Sequence, residues 1–273
     1  MSANFHDRDG FIWMDGQMVP WRDANVHLLT HALHYGSAVF EGTRVYNGMA
    51  FKLQEHDQRL IRSAKILGFT IPWDVEQIDA ACRAVVQANN VVNGYIRPIA
   101  WRGSEQMSVS TLQTRVHLAV AAWDWPSYFS PETRARGIRM ILSPWRRPAP
   151  ETAPVHAKAA GLSMICTIAK NMAEEQGADD ALMYDYRGFV AEGTGANLFM
   201  VQDGKLHTPL ADCFLNGITR QTVIGLAKEK GIDVVERHIT SEELWSAQEV
   251  FLTGTEVEIA PVGQIGEHRF TPG

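Results

Sequence analysis

Two short segments constrain the fold most. In FIWMDGQMVP the pair Asp15-Gly16, and in RVYNGMAFKL the pair Asn47-Gly48, stand between short apolar runs. Asp-Gly and Asn-Gly supply the positive φ angles of a two-residue hairpin turn, so both segments predict antiparallel strand pairs in a small sheet. Helix signals follow. EHDQRLIRSAKILG spaces Leu60, Ala64 and Leu67 along one face and ends on Gly68. DVEQIDAACRAVVQANN puts Ile78, Ala81, Cys82, Val85 and Val86 on one face behind an Asp74 N-cap, with Gln77 three residues on. These two helices should cover one side of the sheet.

YIRPIAWRG and HLAVAAW read as further strands, and DWPSYFSPETRARG reads as a linker. A second set of signals follows it. IRMILSP is a strand, and Pro144, Pro148, Pro150 and Pro154 then forbid regular structure. A helix runs from about Gly161 to Gln176, followed by two glycine-marked hairpins, ALMYDYRGFVAEG and NLFMVQDGKLHTP. TRQTVIGLAKEKG is helical, DVVERHI is a strand, Thr240 and Glu243 form a capping box, and EVFLTGT is a strand. The expectation is an α+β protein of two domains: a small one over residues 1–122, a linker over 123–137 and a larger one over 138–273.

Bulk composition removes several classes. Lys and Arg total 25 against 31 Asp and Glu, scattered without a basic stripe, for a net charge of -6; nucleic acid is not the expected partner. No apolar run approaches the roughly 18 residues of a membrane span. The N-terminal MSANFHDRDG lacks the apolar region of a signal peptide, so a cytoplasmic location is expected. Cys82, Cys166 and Cys213 are far apart and outside any CxxC pattern, and all three read as structural; no metal site is expected.

The chemistry concentrates in four places. Lys158 is the only fully charged residue between Thr152 and Ala169, and its neighbours are alanines. Desolvation disfavours the ammonium and exposes a neutral amine suited to Schiff-base formation; a surface lysine on a small-residue loop would look the same. Asn216, Gly217, Ile218 and Thr219 open an amphipathic helix, where unpaired N–H groups favour an anion, although Asn and Thr are also ordinary caps. Thr253-Gly254-Thr255 ends a strand and could complete the same cup. In VAEGTGANLF, the carboxylate Glu192 precedes the small residues Gly193, Thr194, Gly195 and Ala196, which let backbone approach something flat. An amine, an anion cup and a lone acid are three parts of a pyridoxal 5'-phosphate site, the acid serving the ring nitrogen. Glu192 could equally be a hairpin-edge acid in solvent.

IWMDGQMVPWRDANVHLLTHALHYGSAVFEGTRVY, EHDQRL, YIRP, HAKAAG, VAEGTGANLF, NGITR and TGTEVEIAPV occur in this order along nearly the whole chain. Together they make the sequence resemble the fold-type IV pyridoxal phosphate transaminases, most of all the bacterial branched-chain amino acid aminotransferase group. The resemblance implies a small N-terminal α/β sandwich-like domain lying over the substrate and a larger domain with a β-barrel-like core. It implies that Lys158 forms the Schiff base and shuttles the proton, that Glu192 meets the pyridine nitrogen, and that Arg59, Ile218, Thr219 and Thr255 hold the phosphate. Asn197, Leu215 and Gly217 would support the cofactor. Tyr35, Phe40, Gly42, Arg44, Tyr95 and Arg97 would line the substrate pocket, with Ser163, Thr255 and Glu256. Met107 and Val109 would enter across a homodimer interface, with assembly beyond the dimer left open. Arg97 would take the distal carboxylate of a glutamate-like donor. The implied reaction moves an amino group from a branched-chain L-amino acid or L-glutamate to a 2-oxo acid by a ping-pong mechanism.

The sequence also departs from that pattern. Ser163 stands where the family usually has a tyrosine, Glu256 where it prefers a small residue, and Ala196 where an acid is frequent; Trp101, Arg102 and Glu105 replace commoner aliphatic and glycine residues. These changes predict a wider or more polar pocket. They keep a D-amino acid or (R)-selective amine transaminase in view, and behind it an aminodeoxychorismate lyase or a non-catalytic ligand-binding relative. The family also continues past GEHRFTPG into a closing helix, which this sequence does not include.

Overall fold

The computed structural model describes residues 4–273 and divides into two compact units, Met1–Pro126 with Ala157–Gly161, and Ser127–His156 with Leu162–Gly273. The first unit thus contains a short segment that is remote in sequence, and that segment carries Lys158.

The first unit is built on a seven-stranded antiparallel sheet of β1 (Phe11–Met14), β2 (Gln17–Pro20), β3 (Ala38–Phe40), β4 (Thr43–Tyr46), β5 (Met49–Ala50), β6 (Gly94–Arg102) and β7 (Val116–Asp124). The strand order is β2-β1-β7-β6-β4-β5, with β3 also on β6. Both predicted turns are present: Asp15 and Gly16 have φ 49° and 94°, and Asn47 and Gly48 have 50° and 76°. The two long helices are α2 (Leu53–Ile66) and α3 (Val75–Ala88), preceded by a one-turn α1 (His31–Tyr35) that local signals did not suggest. Asp74 and Gln77 form the capping box of α3 in both directions, and Gly68 has a φ of 75° just beyond α2. Leu60 and Ala64 of α2 and Ile78, Cys82 and Val85 of α3 pack with Ile96, Ala100, Leu118 and Val120 of the sheet into one core. The helices therefore cover one face of the sheet, as their spacing requires.

The second unit contains α4 (Pro131–Arg136), β8 (Ile138–Leu142), α5 (Met164–Glu175), β9 (Asp180–Tyr184), β10 (Val190–Glu192), β11 (Asn197–Gln202), β12 (Lys205–Pro209), α6 (Ile218–Glu229), β13 (Val234–Arg237), α7 (Ser241–Trp245), β14 (Glu249–Gly254), β15 (Glu258–Ile265) and β16 (His268–Arg269). Six strands close into a barrel in the order β10-β9-β8-β15-β14-β11, because β10 pairs with β11 as well as with β9. Closure leaves these six without an unpaired edge. The core is filled by Leu182, Leu198, Met200, Leu252, Ala260 and Val262. The Thr240–Glu243 capping box opens α7 as predicted.

The expected linker is more ordered than its composition suggests. Ser130 caps α4 by accepting from the Thr133 amide, Pro131 supplies the first helical φ, and Gly137 at φ 73° ends the helix. No helix among the described residues is long and apolar enough to cross a membrane.

Candidate active site

In the first unit, Lys158 is held by its backbone. Its amide donates to Ser63 Oγ of α2 at 2.9 Å, and its carbonyl accepts from the Phe40 amide of β3 at 3.1 Å. The flanking Ala157 and Ala159 are buried, and Ala159 bridges to Val39. The Lys158 amine lies 4.6 Å from the centroid of the Phe40 ring. The Arg97 guanidinium lies 5.0 Å from the same ring and 5.2 Å from that of Tyr95. The lysine nitrogen and the guanidinium thus share one aromatic ring. Arg97 Nε is buried without a hydrogen-bond partner among the described residues. Gly42 belongs to this cluster for a steric reason: a Cβ there would lie 1.7 Å from Tyr95 Oη.

Arg59 sits one helical turn before Ser63 on α2. Its Nε and Nη2 form a two-point pair with Glu41 at 2.5 and 2.9 Å, and His56 Nδ1 lies 2.7 Å from Glu41 Oε2. Burial by itself would raise the Glu41 carboxyl, but the Arg59 charge and the bonds from His56 and Arg59 overcome it and bring it down to about 2. A guanidinium has five N–H groups, so the Glu41 pair leaves three that can meet a phosphate. The sequence did not single out Glu41, His56 or Ser63. The signal was available in part: His56 and Arg59 stand three apart and share a face of α2.

In the second unit, Glu192 ends β10 and Asn197 begins β11, and the two are register partners. Asn197 Nδ2 donates to Glu192 Oε2 and to the Leu215 carbonyl, both at 3.0 Å; Asn197 Oδ1 accepts from the Gly217 amide at 3.1 Å. Arg147 Nε lies 3.2 Å from Glu192 Oε1. Glu192 is 9% exposed, which removes its reading as a hairpin-edge acid in solvent.

Gly217 is the N-cap of α6, and no described side chain caps that end, so the first amides around Ile218 and Thr219 can serve an anion. Thr253 pairs with Asn197 on the other side of β11, and its buried hydroxyl has no partner among the described residues. Uncapped amides, an orphaned hydroxyl and a buried carboxylate form a donor set that fits the phosphate and protonated ring of pyridoxal phosphate.

Among the small residues after Glu192, Gly193 also meets a packing requirement of its own barrel. A Cβ on Gly193 would lie 2.9 Å from Asp180 Oδ2 and 3.1 Å from Leu252, so that glycine serves the packing of its own barrel. Burial raises the Asp180 carboxyl, and the Thr194 hydroxyl, 2.5 Å from its Oδ1, opposes that. Gly195 has open space beside it.

Arg44 of β4 is the register partner of Tyr95 of β6. Arg44 is buried, and its Nη1 donates to the carbonyls of Trp125 at 2.9 Å and Pro126 at 3.4 Å. Tyr35 is half exposed and stacks on His31 at 4.5 Å. Met107 and Val109 are 41% and 82% exposed. Ser163 precedes α5 without capping it through its side chain, and Thr255 and Glu256 are partly buried in the turn after β14. Asp185, Asp212 and Cys213 bring ligand-type atoms within 4.8 Å of one another. Arg187 bonds to both carboxylates, at 2.6 and 2.9 Å, and burial pushes the Cys213 thiol up to about 12.

Residues 38–265 match the model of amino-transferase class IV. The branched-chain-amino-acid aminotransferase of Pseudomonas aeruginosa is 42% identical over 271 residues, covering 98% of this chain and 88% of that protein. The crystal structure of the T.th. branched-chain amino acid aminotransferase with pyridoxamine 5'-phosphate superposes with a TM-score of 0.93 at 40% identity, over 97% of this chain and 88% of that one. The same enzyme complexed with N-(5'-phosphopyridoxyl)-L-glutamate gives a TM-score of 0.91 at 39% identity, with the same coverage. A matched span running from β3 through β15, and relatives alike over nearly their whole length, join the lysine and the closed barrel in one assignment: the chain belongs to the class IV aminotransferases.

Proposed function

We propose that this protein is a pyridoxal 5'-phosphate-dependent transaminase that takes the amino group of a branched-chain L-amino acid or of L-glutamate and delivers it to a 2-oxo acid in a ping-pong cycle. The observation that carries the reading is the sharing of the Phe40 ring by the Lys158 amine and the Arg97 guanidinium, whose buried Nε has no partner among the described residues. That pairing puts a nucleophilic amine beside a receptor for a carboxylate. Relatives alike over nearly the full chain are named for branched-chain substrates, and one was crystallised with a phosphopyridoxyl-glutamate adduct.

Pyridoxal phosphate, when bound, supplies the electron sink that lets bonds at the donor's α-carbon break. Lys158 Nζ anchors the cofactor covalently, is released by the incoming amine, and carries the proton between the donor's Cα and the cofactor's C4′ atom. Glu192 accepts the hydrogen bond of the protonated ring nitrogen. Arg59, the amides of Ile218 and Thr219, and Thr255 hold the phosphate, while Asn197, Leu215 and Gly217 fix those groups. Phe40, Gly42 and Tyr95 shape the apolar pocket, and Arg97 receives the side-chain carboxylate when glutamate is the donor. The turn at Thr255 and Glu256 takes the α-carboxylate through its backbone. Met107 and Val109, exposed in the single chain, reach the site of a second copy in a homodimer, and the enzyme works in the cytoplasm.

The test is the visible spectrum of the cofactor-loaded protein before and after L-leucine, D-alanine or (R)-1-phenylethylamine. Conversion to the pyridoxamine form by L-leucine alone supports the proposal. Conversion by D-alanine or the amine alone refutes the substrate assignment and makes Ser163 and Glu256 the residues to exchange next.

A further inference from the structure

We infer that Arg147 is the positioning residue that holds Glu192 charged and correctly turned, an inference that rests on Glu192 serving the ring nitrogen. Two groups from different parts of the second unit meet the Glu192 carboxylate: Arg147, from the loop after β8, has its Nε 3.2 Å from Oε1, and Asn197 of β11 donates from Nδ2 to Oε2 at 3.0 Å. The two contacts differ in kind. Asn197 makes a directed hydrogen bond, whereas Arg147 Nε is within ion-pair distance but out of line for one. Asn197 therefore fixes direction, and Arg147 contributes charge.

Arg147 is itself held through both its backbone and its side chain. It is 6% exposed, its amide donates to the Tyr184 carbonyl at 2.8 Å, it bridges to Asp185, and its Nη1 donates to Cys166 Sγ of α5 at 3.3 Å. The adjacent Arg146 is exposed, with its Nη1 3.5 Å from the Tyr186 carbonyl, so the fold selects one of two neighbouring arginines for the interior. Taking a carboxylate out of water is costly unless a charge compensates it, and an uncompensated one binds a proton. A protonated acid no longer carries the negative charge that stabilises a protonated ring nitrogen, and the ring would more readily lose the proton that makes it an electron sink. Arg147 need not touch cofactor or substrate to govern this step.

The test loads wild type, Glu192→Gln, Arg147→Met and Arg147→Lys with pyridoxal phosphate labelled with nitrogen-15 in the ring, and reads the nitrogen resonance together with kcat and KM for L-leucine. Arg147→Met is expected to move the resonance in the direction Glu192→Gln moves it, toward the unprotonated ring. It should lower kcat about tenfold with KM changed less than about twofold, and Arg147→Lys should restore part of both. A role confined to folding would lower Tm and leave the resonance of the loaded protein at the wild-type position, which overturns the inference. An unmoved resonance in Glu192→Gln overturns the reading of Glu192 and this inference with it; a shift there but none in Arg147→Met overturns the role of Arg147 alone. If Arg147→Met does not load, Arg147→Gln replaces it under the same criteria.

Discussion

Glu192 and Asn197 are register partners in the strand pair that closes the barrel, and the Asn197 amide nitrogen donates to the Glu192 carboxylate at 3.0 Å. One contact therefore does two jobs: it completes the ring of six strands and orients the acid of the site. Because Asn197 also accepts from Gly217, the orientation of Glu192 is tied to the N-terminus of α6. Changes at either end of this chain of contacts should be felt at the other.

Gly217 offers the cleanest entry. A Cβ there would lie 2.2 Å from Asn197 Oδ1, so Gly217→Ala must push the amide away and break the bond that links helix and carboxylate. Cofactor affinity should fall about tenfold, measured by dialysis against free pyridoxal phosphate. Gly225→Ala, inside α6, is the control, since no described atom lies within 4 Å of its added carbon and its φ is not left-handed; its affinity should match wild type.

Gly42→Ala should act on the substrate side. The added carbon would lie 1.7 Å from Tyr95 Oη, and the ring must swing away from its place beside Arg97. A loss of about 100-fold in kcat/KM for L-leucine is expected, with cofactor affinity retained. Steady-state kinetics on the loaded protein provide the check, and an unchanged kcat/KM would remove Tyr95 from the pocket.

Acid should attack the first unit through Glu41. The unfolded carboxyl takes its proton near 4.5 and the folded one only near 2, so stability is fully present above about pH 4.5 and drains away as pH falls through that window. Glu41→Gln, which leaves the Arg59 charge buried without its partner, should cost about 3–5 kcal/mol at neutral pH. Urea unfolding of wild type and variant between pH 7 and the acid limb measures both effects.

Asp57 should produce the opposite slope. It is 0% exposed, neither carboxylate oxygen has a hydrogen-bond partner among the described residues, and burial, followed by the charges of Asp79 and Glu41 and opposed by Arg83, raises it to about 8. The folded state holds a proton that the unfolded state releases near 3.8, so stability declines as pH rises from there to about 8 and then levels. The slope for one proton is at most about 1.4 kcal/mol per pH unit. Asp57→Asn keeps the shape of the neutral acid and cannot ionise, so the slope of Tm against pH over this window should flatten.

Much of the fold was legible because its signals are local. The turns at Asp15-Gly16 and Asn47-Gly48, the capping boxes at Asp74–Gln77 and Thr240–Glu243, and the end of α2 at Gly68 each depend on residues within a few positions of one another, and all are present. Within the segment 123–137, the short helix α4 was not legible because Pro131 and Ser130 look like loop formers, although at the first turn of a helix both are favourable.

The candidate residues Lys158, Glu192, Arg59 and Thr219 were named from the sequence because an amine among alanines, an acid before small residues and a helix opening in Asn-Gly-Ile-Thr carry their chemistry in their neighbours, with Arg59 coming from the family resemblance of EHDQRL. The partners of those residues were not legible. That Glu41 binds Arg59, that Arg147 and not Arg146 turns toward Glu192, and that the Lys158 segment belongs with residues 1–126 follow from contacts between elements far apart in the chain. The sequence determined which groups are present and which local elements bear them, since caps, turns and periodicity are short-range. Only the tertiary structure decided which buried charges meet, because the cost of burying a charge is settled by whatever partner the packed fold brings to it.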